Sequence, residues 1–552
     1  MPHGNLATRA VLTVLTATAV LGGLVHGAAP SRAEPVPPRE DAVEVSGEPF
    51  SGTSPDGLVR GYADLHSHLM SYEGFGGRVM CGSVFDEGGV AEALKDCPDH
   101  GTDGSTAWFE NLVSTGSPFG KHDTEGWPTF EDWPSRSSRT HQQAYHTWIE
   151  RSWRAGQRLL VNHLVSNRTL CEVYPLKKHP CDEMSSIRLQ AERTYDLQEY
   201  IDGRSGGPGR GWFRIVRGPD EARRVIEQGK LAVVLGVETS EPFGCRQVRG
   251  RARCTEKQID DGLDEMQRLG VGSMFLCHKF DNALCGVRFD PDTTGLVLNI
   301  GNFLGSGRFW QADTCRRPER DNTISPANEF TSVLAGPLAH LRPLGLTVPA
   351  YPEPPHCNIN GLTDLGAYAV KGMIKRGMLV EVDHMSVEAA DRTLSILEQE
   401  DYPGVVSSHS WTDRNFLQRI YRLGGMATSY ASAADGFVAS WRQARKASVP
   451  GDFFGFGFGL DANGMGPLPG PRGGNAANPV RYPFTSPFDP GVRLDRQRTG
   501  ERAWDVNTEG VANYGLIPDW LADVHTVGGD EIITDMSHGA EAYLRMWERS
   551  RD

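Results

Sequence analysis

The chain has 552 residues, 39% of them hydrophobic and 9% aromatic, enough for a sizeable core and too much for a chain disordered throughout. Its 56 Lys and Arg stand against 70 Asp and Glu, a net charge of −14, which speaks against nucleic acid or an anionic membrane surface as a partner. The length suits one large elaborated domain or two to three ordinary ones, and 64 Gly with 35 Pro imply many turns and long loops.

Residues 1–33 read as a signal peptide. Arg9 supplies the basic start, Ala10 to Val25 the apolar stretch, and Ser31-Arg32-Ala33 the small residues before cleavage, with Glu34 as the mature N-terminus. The apolar run is short for a membrane span of about 20 residues, and no later segment is long and apolar enough. The expected location is therefore secreted, extracellular or periplasmic, with no membrane association after signal cleavage. Residues 34–58 read as a flexible lead-in.

From residue 59 onward, short β-branched or apolar runs alternate with longer helical patterns. The runs predict strands at 61–65, 158–165, 230–237, 271–277, 378–382, 405–408, 425–430 and 453–460. Between them the apolar spacing predicts helices at 144–155, 219–228, 257–269, 362–376, 387–398, 415–422 and 434–447. Ser386 with Glu388, and Gly270 and Gly377, supply start and stop signals. Eight strand–helix units predict an α/β fold, a (β/α)8 TIM-type barrel, with an open doubly wound sheet as the alternative. Two stretches, 69–140 and 279–355, are too long for ordinary loops, and both follow the C-terminal end of a strand. Residues 466–500 read as a third loop.

All ten cysteines lie beyond the signal segment, an even count that fits disulfides in an oxidising compartment. Short spacings favour 81–97, 171–181, 245–254, 277–285 and 315–357, although spacing does not fix connectivity. There is no CxxC to support a cysteine zinc site or a thioredoxin-like motif.

Chemistry gathers where the strands end. The first predicted strand runs into Asp64-Leu65-His66-Ser67-His68, the third into Glu238, the fourth into His278, the fifth into Asp383-His384, the sixth into His409 and the eighth into Asp461. His66 and His68, two apart, share one face of an extended chain, so both imidazoles can reach one ion. Imidazole and carboxylate donors without thiolate suit zinc or manganese. His163 has no partner in this pattern and reads as structural.

At these residues the chain resembles the amidohydrolase superfamily, and within it the membrane dipeptidase (renal dipeptidase-like) family. The resemblance rests on Lys230 to Glu238, Leu269 to His278 with Asp281-Asn282, Gly361 to Gly366, Val382 to Ser386, Ser407 to Ser410 and Phe456 to Asp461. It implies a metal-dependent hydrolase barrel over 59–552 that holds two divalent metal ions, zinc or alternatively manganese. The implied metal ligands are His66, His68, Glu238 as the bridging carboxylate, His384 and His409. His278 is implied to contact substrate and Asp461 to handle the reactive water. Arg414, with Asn415, matches the position that holds a substrate carboxylate. The chain departs from the family in carrying His66-x-His68 where dipeptidases have His-x-Asp, and in its two long insertions.

The expected function is a secreted metal-dependent hydrolase that cleaves an amide or peptide bond with metal-activated water, Asp461 and His278 being catalytic. The expected partner is a small-molecule or peptide-like substrate. Phosphoester or lactone hydrolysis by the same site is one alternative. A catalytically idle, metal-stabilised binding protein is another.

Overall fold

The computed structural model describes residues 42–95, 97, 100–101, 103–115, 117–123, 133–324, 349–472 and 476–551. Residues 1–33, expected as a signal peptide, and parts of both insertions lie outside the described residues.

Eight parallel strands form the ring: β1 Tyr62–Ser67, β2 Gln157–Ser166, β3 Leu231–Thr239, β4 Val271–Phe275, β5 Leu379–Glu381, β6 Val405–Ser407, β7 Met426–Ala427 with Ser429–Tyr430, and β8 Phe458–Gly459. β7 is the closing stave. Its first half pairs with β6 (Val406 with Met426), and its second half pairs with β8 (Ser429 with Phe458). Phe458 then pairs with Asp64 of β1, so the sheet returns to its start and the open-sheet alternative is overturned. β2 and β3 are buried at every position, as their near-continuous apolar sequences require once both faces are covered.

The flanking helices begin and end where the sequence signals them. Thr255 and Gln258 form a reciprocal capping box on the helix Glu256–Leu269, and Gly270 closes it with φ 90°, a left-handed turn that costs glycine nothing. Ser386 caps Val387–Gln399 by accepting the Ala389 N–H at 3.1 Å. The helix Gly539–Arg549 lays Tyr543, Leu544 and Trp547 against Ala63, Leu159, Val161 and Val234 on the outside of β1 to β3.

Several features differ from expectation. A ninth strand, Phe213–Val216, pairs with the N-terminal half of β3, below the stretch that β4 covers. The 22-residue helix Glu183–Arg204 also lies between β2 and β3. β8 is only two residues long where eight were expected, because Phe453 to Gly457 run in without ladder pairing. The described part of the lead-in is held down: Val45–Ser46 pairs antiparallel with Arg493–Leu494, and Arg158 donates to the Phe50 carbonyl. All five disulfides join the sequential pairs expected. No helix among the described residues is long and apolar enough to cross a membrane.

Candidate metal centre

The C-terminal ends of six staves meet over the barrel mouth. β1 contributes His66 and, just past its end, His68; β3 contributes Glu238. His278, His384, His409 and Asp461 follow the ends of β4, β5, β6 and β8. Glu238 lies at the middle of the group. Its Oε2 is 3.4 Å from His68 Nε2, 3.5 Å from His278 Nε2 and 3.7 Å from His66 Nε2, and its Oε1 is 3.4 Å from His384 Nε2. Asp461 Oδ1 is 3.1 Å from His68 Nε2 and 3.8 Å from His66 Nε2. His409 Nε2 faces His384 Nε2 at 2.9 Å.

The backbone is bent to bring these groups inward. His384 has φ 64° and Asp461 φ 55°, left-handed values uncommon for residues with a side chain but tolerated best by Asn, Asp and His. Buried acceptors and donors set the ring orientations. The His163 carbonyl lies 2.8 Å from His68 Nδ1, and Ser408 Oγ lies 3.0 Å from His66 Nδ1. Asp383 accepts the His409 N–H at 2.8 Å and Ser407 Oγ–H at 2.7 Å, and its Oδ2 sits 2.9 Å from His409 Nδ1. In the rings of His66, His68 and His409 Nδ1 is engaged from outside, which turns Nε2 of His66 and His68 toward Glu238 and Nε2 of His409 toward His384.

Asp64 ties the whole mouth together. It accepts from the backbone N–H of His66 (3.1 Å) and of Leu460 (3.2 Å), and from Ser67 Oγ (2.6 Å) and Tyr514 Oη (3.0 Å). Below the cluster His163 stacks on His66, ring centroids 4.4 Å apart, with Nε2 3.4 Å from Glu381 Oε1. Sequence reasoning assigned no site role to Asp64, Asp383, Ser408 or Glu381. Their only sequence signal is closeness to a strand-end histidine or to its pairing partner.

With the protein groups alone, the electrostatics are strained. Burial holds His66, His278 and His384 well below the usual imidazole range, helped by neighbouring His409 for His66 and by Lys279 for the other two. Burial also pushes Glu238 up and Glu381 up to about 8. For His68 burial is outweighed by the Asp461 hydrogen bond and the Glu238 charge. For His409 it is outweighed by Asp383, so both end raised. His66 Nε2 and Glu238 Oε1 are fully buried with no hydrogen-bond partner among the described residues. Two imidazole nitrogens at 2.9 Å likewise need a proton or a cation between them. Divalent ions satisfy all of these demands at once, so the donor set fits them. Three overlapping sets present suitable atoms within 4.8 Å: His66, His68 and Asp461; His66, Glu238 and His409; and Glu238, His278 and His384.

Of the residues expected at the site, Arg414 stands apart. It is exposed at the start of the short turn Arg414–Phe416, and no hydrogen bond among the described residues joins it to the cluster. His278, expected as a catalytic and substrate-contacting residue and not as a metal ligand, has its Nε2 as close to Glu238 as the histidines expected as ligands.

No family model matches the chain, and no curated protein matches it. Among solved structures it is similar to an amidohydrolase from Pseudomonas aeruginosa, at 12% identity and a TM-score of 0.40 over 73% of this chain and 92% of that one. It is also similar to a metallopeptidase from Rhodobacter sphaeroides liganded with a phosphinate mimic of the dipeptide L-Ala-D-Ala. That match has 11% identity and a TM-score of 0.41, and covers 89% and 99% of the two chains. A probable dipeptidase from Pseudomonas aeruginosa matches at 16% identity and a TM-score of 0.39, over 78% and 92%. Likenesses this loose assign no chemistry, which has to come from the site itself.

Proposed function

We propose that the chain is an exported metal-dependent hydrolase that cleaves an amide or peptide bond in a small, peptide-like substrate. The observation that carries this reading is the convergence of His66, His68, Glu238, His384 and His409 on one point, with Asp461 beside it at the solvent edge. Five buried donors in this arrangement suit two divalent ions, zinc or manganese, with Glu238 between them. Such ions, when bound, supply an activated water and a Lewis acid for the scissile carbonyl.

The chain's own groups then have distinct duties. Asp461 takes the proton of the attacking water at Oδ1 and later returns it to the leaving amine. Its other oxygen, Oδ2, is 3.5 Å from Tyr430 Oη, which steadies the carboxylate without using the reactive atom. His278, 13% exposed at its side chain, is positioned to donate to the developing oxyanion from the solvent side of Glu238. Arg414 would meet a free carboxylate of the substrate bidentately, in a way Lys could not match.

Elemental analysis joined to a substrate screen tests this. The expected result is close to two divalent ions lost when the barrel-mouth histidines are replaced, and turnover of short peptides, stronger for those with a free C-terminal carboxylate than for their amides. Turnover confined to phosphoesters or lactones would move the reaction class. Full metal content with no turnover of any amide, ester or phosphoester would leave a binding protein.

A further inference from the structure

The first insertion carries a second group of metal-type donors, separate from the barrel mouth. His100, Glu110, His122 and His141 are spread over residues 100–141 of one insertion, and each offers a donor atom within 4.8 Å of the others. Glu110 projects from the helix Trp108–Thr115. Its Oε2 is 2.5 Å from His100 Nε2, 2.9 Å from His141 Nε2 and 3.2 Å from Thr140 Oγ1. The ring of His100 lies 4.2 Å from that of His141 and 5.1 Å from that of His122. His100, Glu110 and His141 are buried.

Local backbone holds the rings in place. Cys81 accepts the Gln142 N–H at 2.8 Å and donates its own N–H to Thr140 at 2.8 Å, which fixes His141 between them. Gly104, at φ 68°, lets the His122 ring lie against its Cα, where a Cβ would come within 2.2 Å of Nδ1. The Cys81–Cys97 disulfide borders the group, with Cys81 Sγ 3.5 Å from His141 Nδ1. Its sulfurs are bonded to each other and are not free to act as thiolate ligands.

We infer that His100, Glu110, His122 and His141 form a binding site for one zinc-type divalent cation that staples the first insertion. Three imidazoles and one carboxylate are all donors that zinc accepts, and four of them fill its tetrahedral coordination without leaving an open position. The described part of the insertion has no strand and three short helices, Ser71–Glu73, Val90–Ala93 and Trp108–Thr115, so a metal cross-link is a physically economical way to order it. The staple would also steady the barrel mouth. Directly after His141, Gln142 accepts from Asn463 Nδ2, and the Gln143 backbone N–H donates to Asn463 Oδ1 at 2.7 Å. Asn463 in turn donates to the His68 carbonyl at 3.1 Å.

The test is a metal count on the full-length exported protein, stripped and reloaded with Zn²⁺ alone and then dialysed. His141→Gln and, separately, the rim variant His122→Gln should each hold one ion fewer than wild type, or bind it at least ~100-fold more weakly, beyond what loss of an outer supporting group costs. A variant with the barrel mouth disabled at all four ligand histidines, His66→Asn, His68→Asn, His384→Asn and His409→Asn, should keep one ion that His122→Gln then removes. Near-ultraviolet circular dichroism shows whether each variant is folded. Co²⁺ in the barrel-disabled variant should show no thiolate charge-transfer band. Equal zinc content in wild type and both histidine variants would overturn the site, leaving a His–Glu cluster held by protons. No ion in the barrel-disabled variant, or a thiolate band with Co²⁺, would overturn it equally.

Discussion

Asp461, like His278, is wetter than the rest of the cluster. Its side chain keeps 15% of its exposure, whereas those of His66 and Glu238 keep 1% and 2%. A group that must exchange a proton with water needs that access, and a pure ligand does not. Asp461→Asn keeps the size and one oxygen but removes the basic site. Turnover should fall by the 10²–10⁴-fold typical of lost acid–base catalysis while metal content and fold persist. Loss of an ion together with activity would make Asp461 chiefly a ligand and pass the proton to His278. The positions at the mouth were legible in sequence because each follows an apolar run that ends in His, Glu or Asp. The groups that aim them were not. Asp383 and Asp64 act through backbone N–H groups and hydroxyls of other staves, at sequence separations such as 26 and 396 that no local pattern encodes.

At the scale of elements, strand-to-helix alternation was readable because parallel staves are continuous apolar runs and their helices carry caps. The missed pieces failed for separate reasons. Phe213–Val216 is four residues long and close to the next run, so it has too little pattern to register. The helix Glu183–Arg204 does bury Met184, Ile187, Ala191, Leu197 and Ile201 at helical spacing behind an Asp182 cap, a signal that was present in the sequence. The cysteine pairs followed spacing because each joins the two ends of a single loop. Of these, Cys315–Cys357 closes the longest, at 42 residues, against 9 for Cys245–Cys254. On loop-closure entropy, Cys315→Ala with Cys357→Ala should cost about 4 kcal/mol, compared with about 2.6 kcal/mol for Cys245→Ala with Cys254→Ala. Denaturant midpoints of the two double variants check the order. The reverse order would place the stabilisation in the folded loop rather than in the unfolded chain.

For the molecule as a whole, buried histidines govern the acid side of stability. His146, at the start of the helix His146–Arg154, is pushed down to about 3 by burial, with Arg204 adding to the effect. In the unfolded chain it titrates near 6.5, so on acidification the unfolded state takes up the proton first. Its contribution is therefore complete above pH 6.5 and is lost as pH falls, by about 1.4 kcal/mol for each pH unit. Unfolding free energies at pH 7 and pH 5 should fall less steeply in His146→Gln than in wild type. Equal slopes would show that the ring is already charged in the fold.

The ring of staves is also uneven. β2 and β3 share eight consecutive residue pairs, whereas the junctions from β5 round to β8 share two each, and β8 meets β1 through one. One half of the barrel is a stiff plank and the other a row of short laths. His66, His68 and Glu238 hang from the plank, and His384, His409 and Asp461 from the laths. Any cation gripped by both sets acts as a cross-brace, turning binding energy into rigidity where the ladder is thinnest. Amide hydrogens of Val406, Thr428 and Gly459 should then exchange with solvent far more slowly in the loaded protein than in the stripped one, while those of β2 and β3 hardly change. The chemistry and the cohesion of the weaker half would thus depend on the same ions.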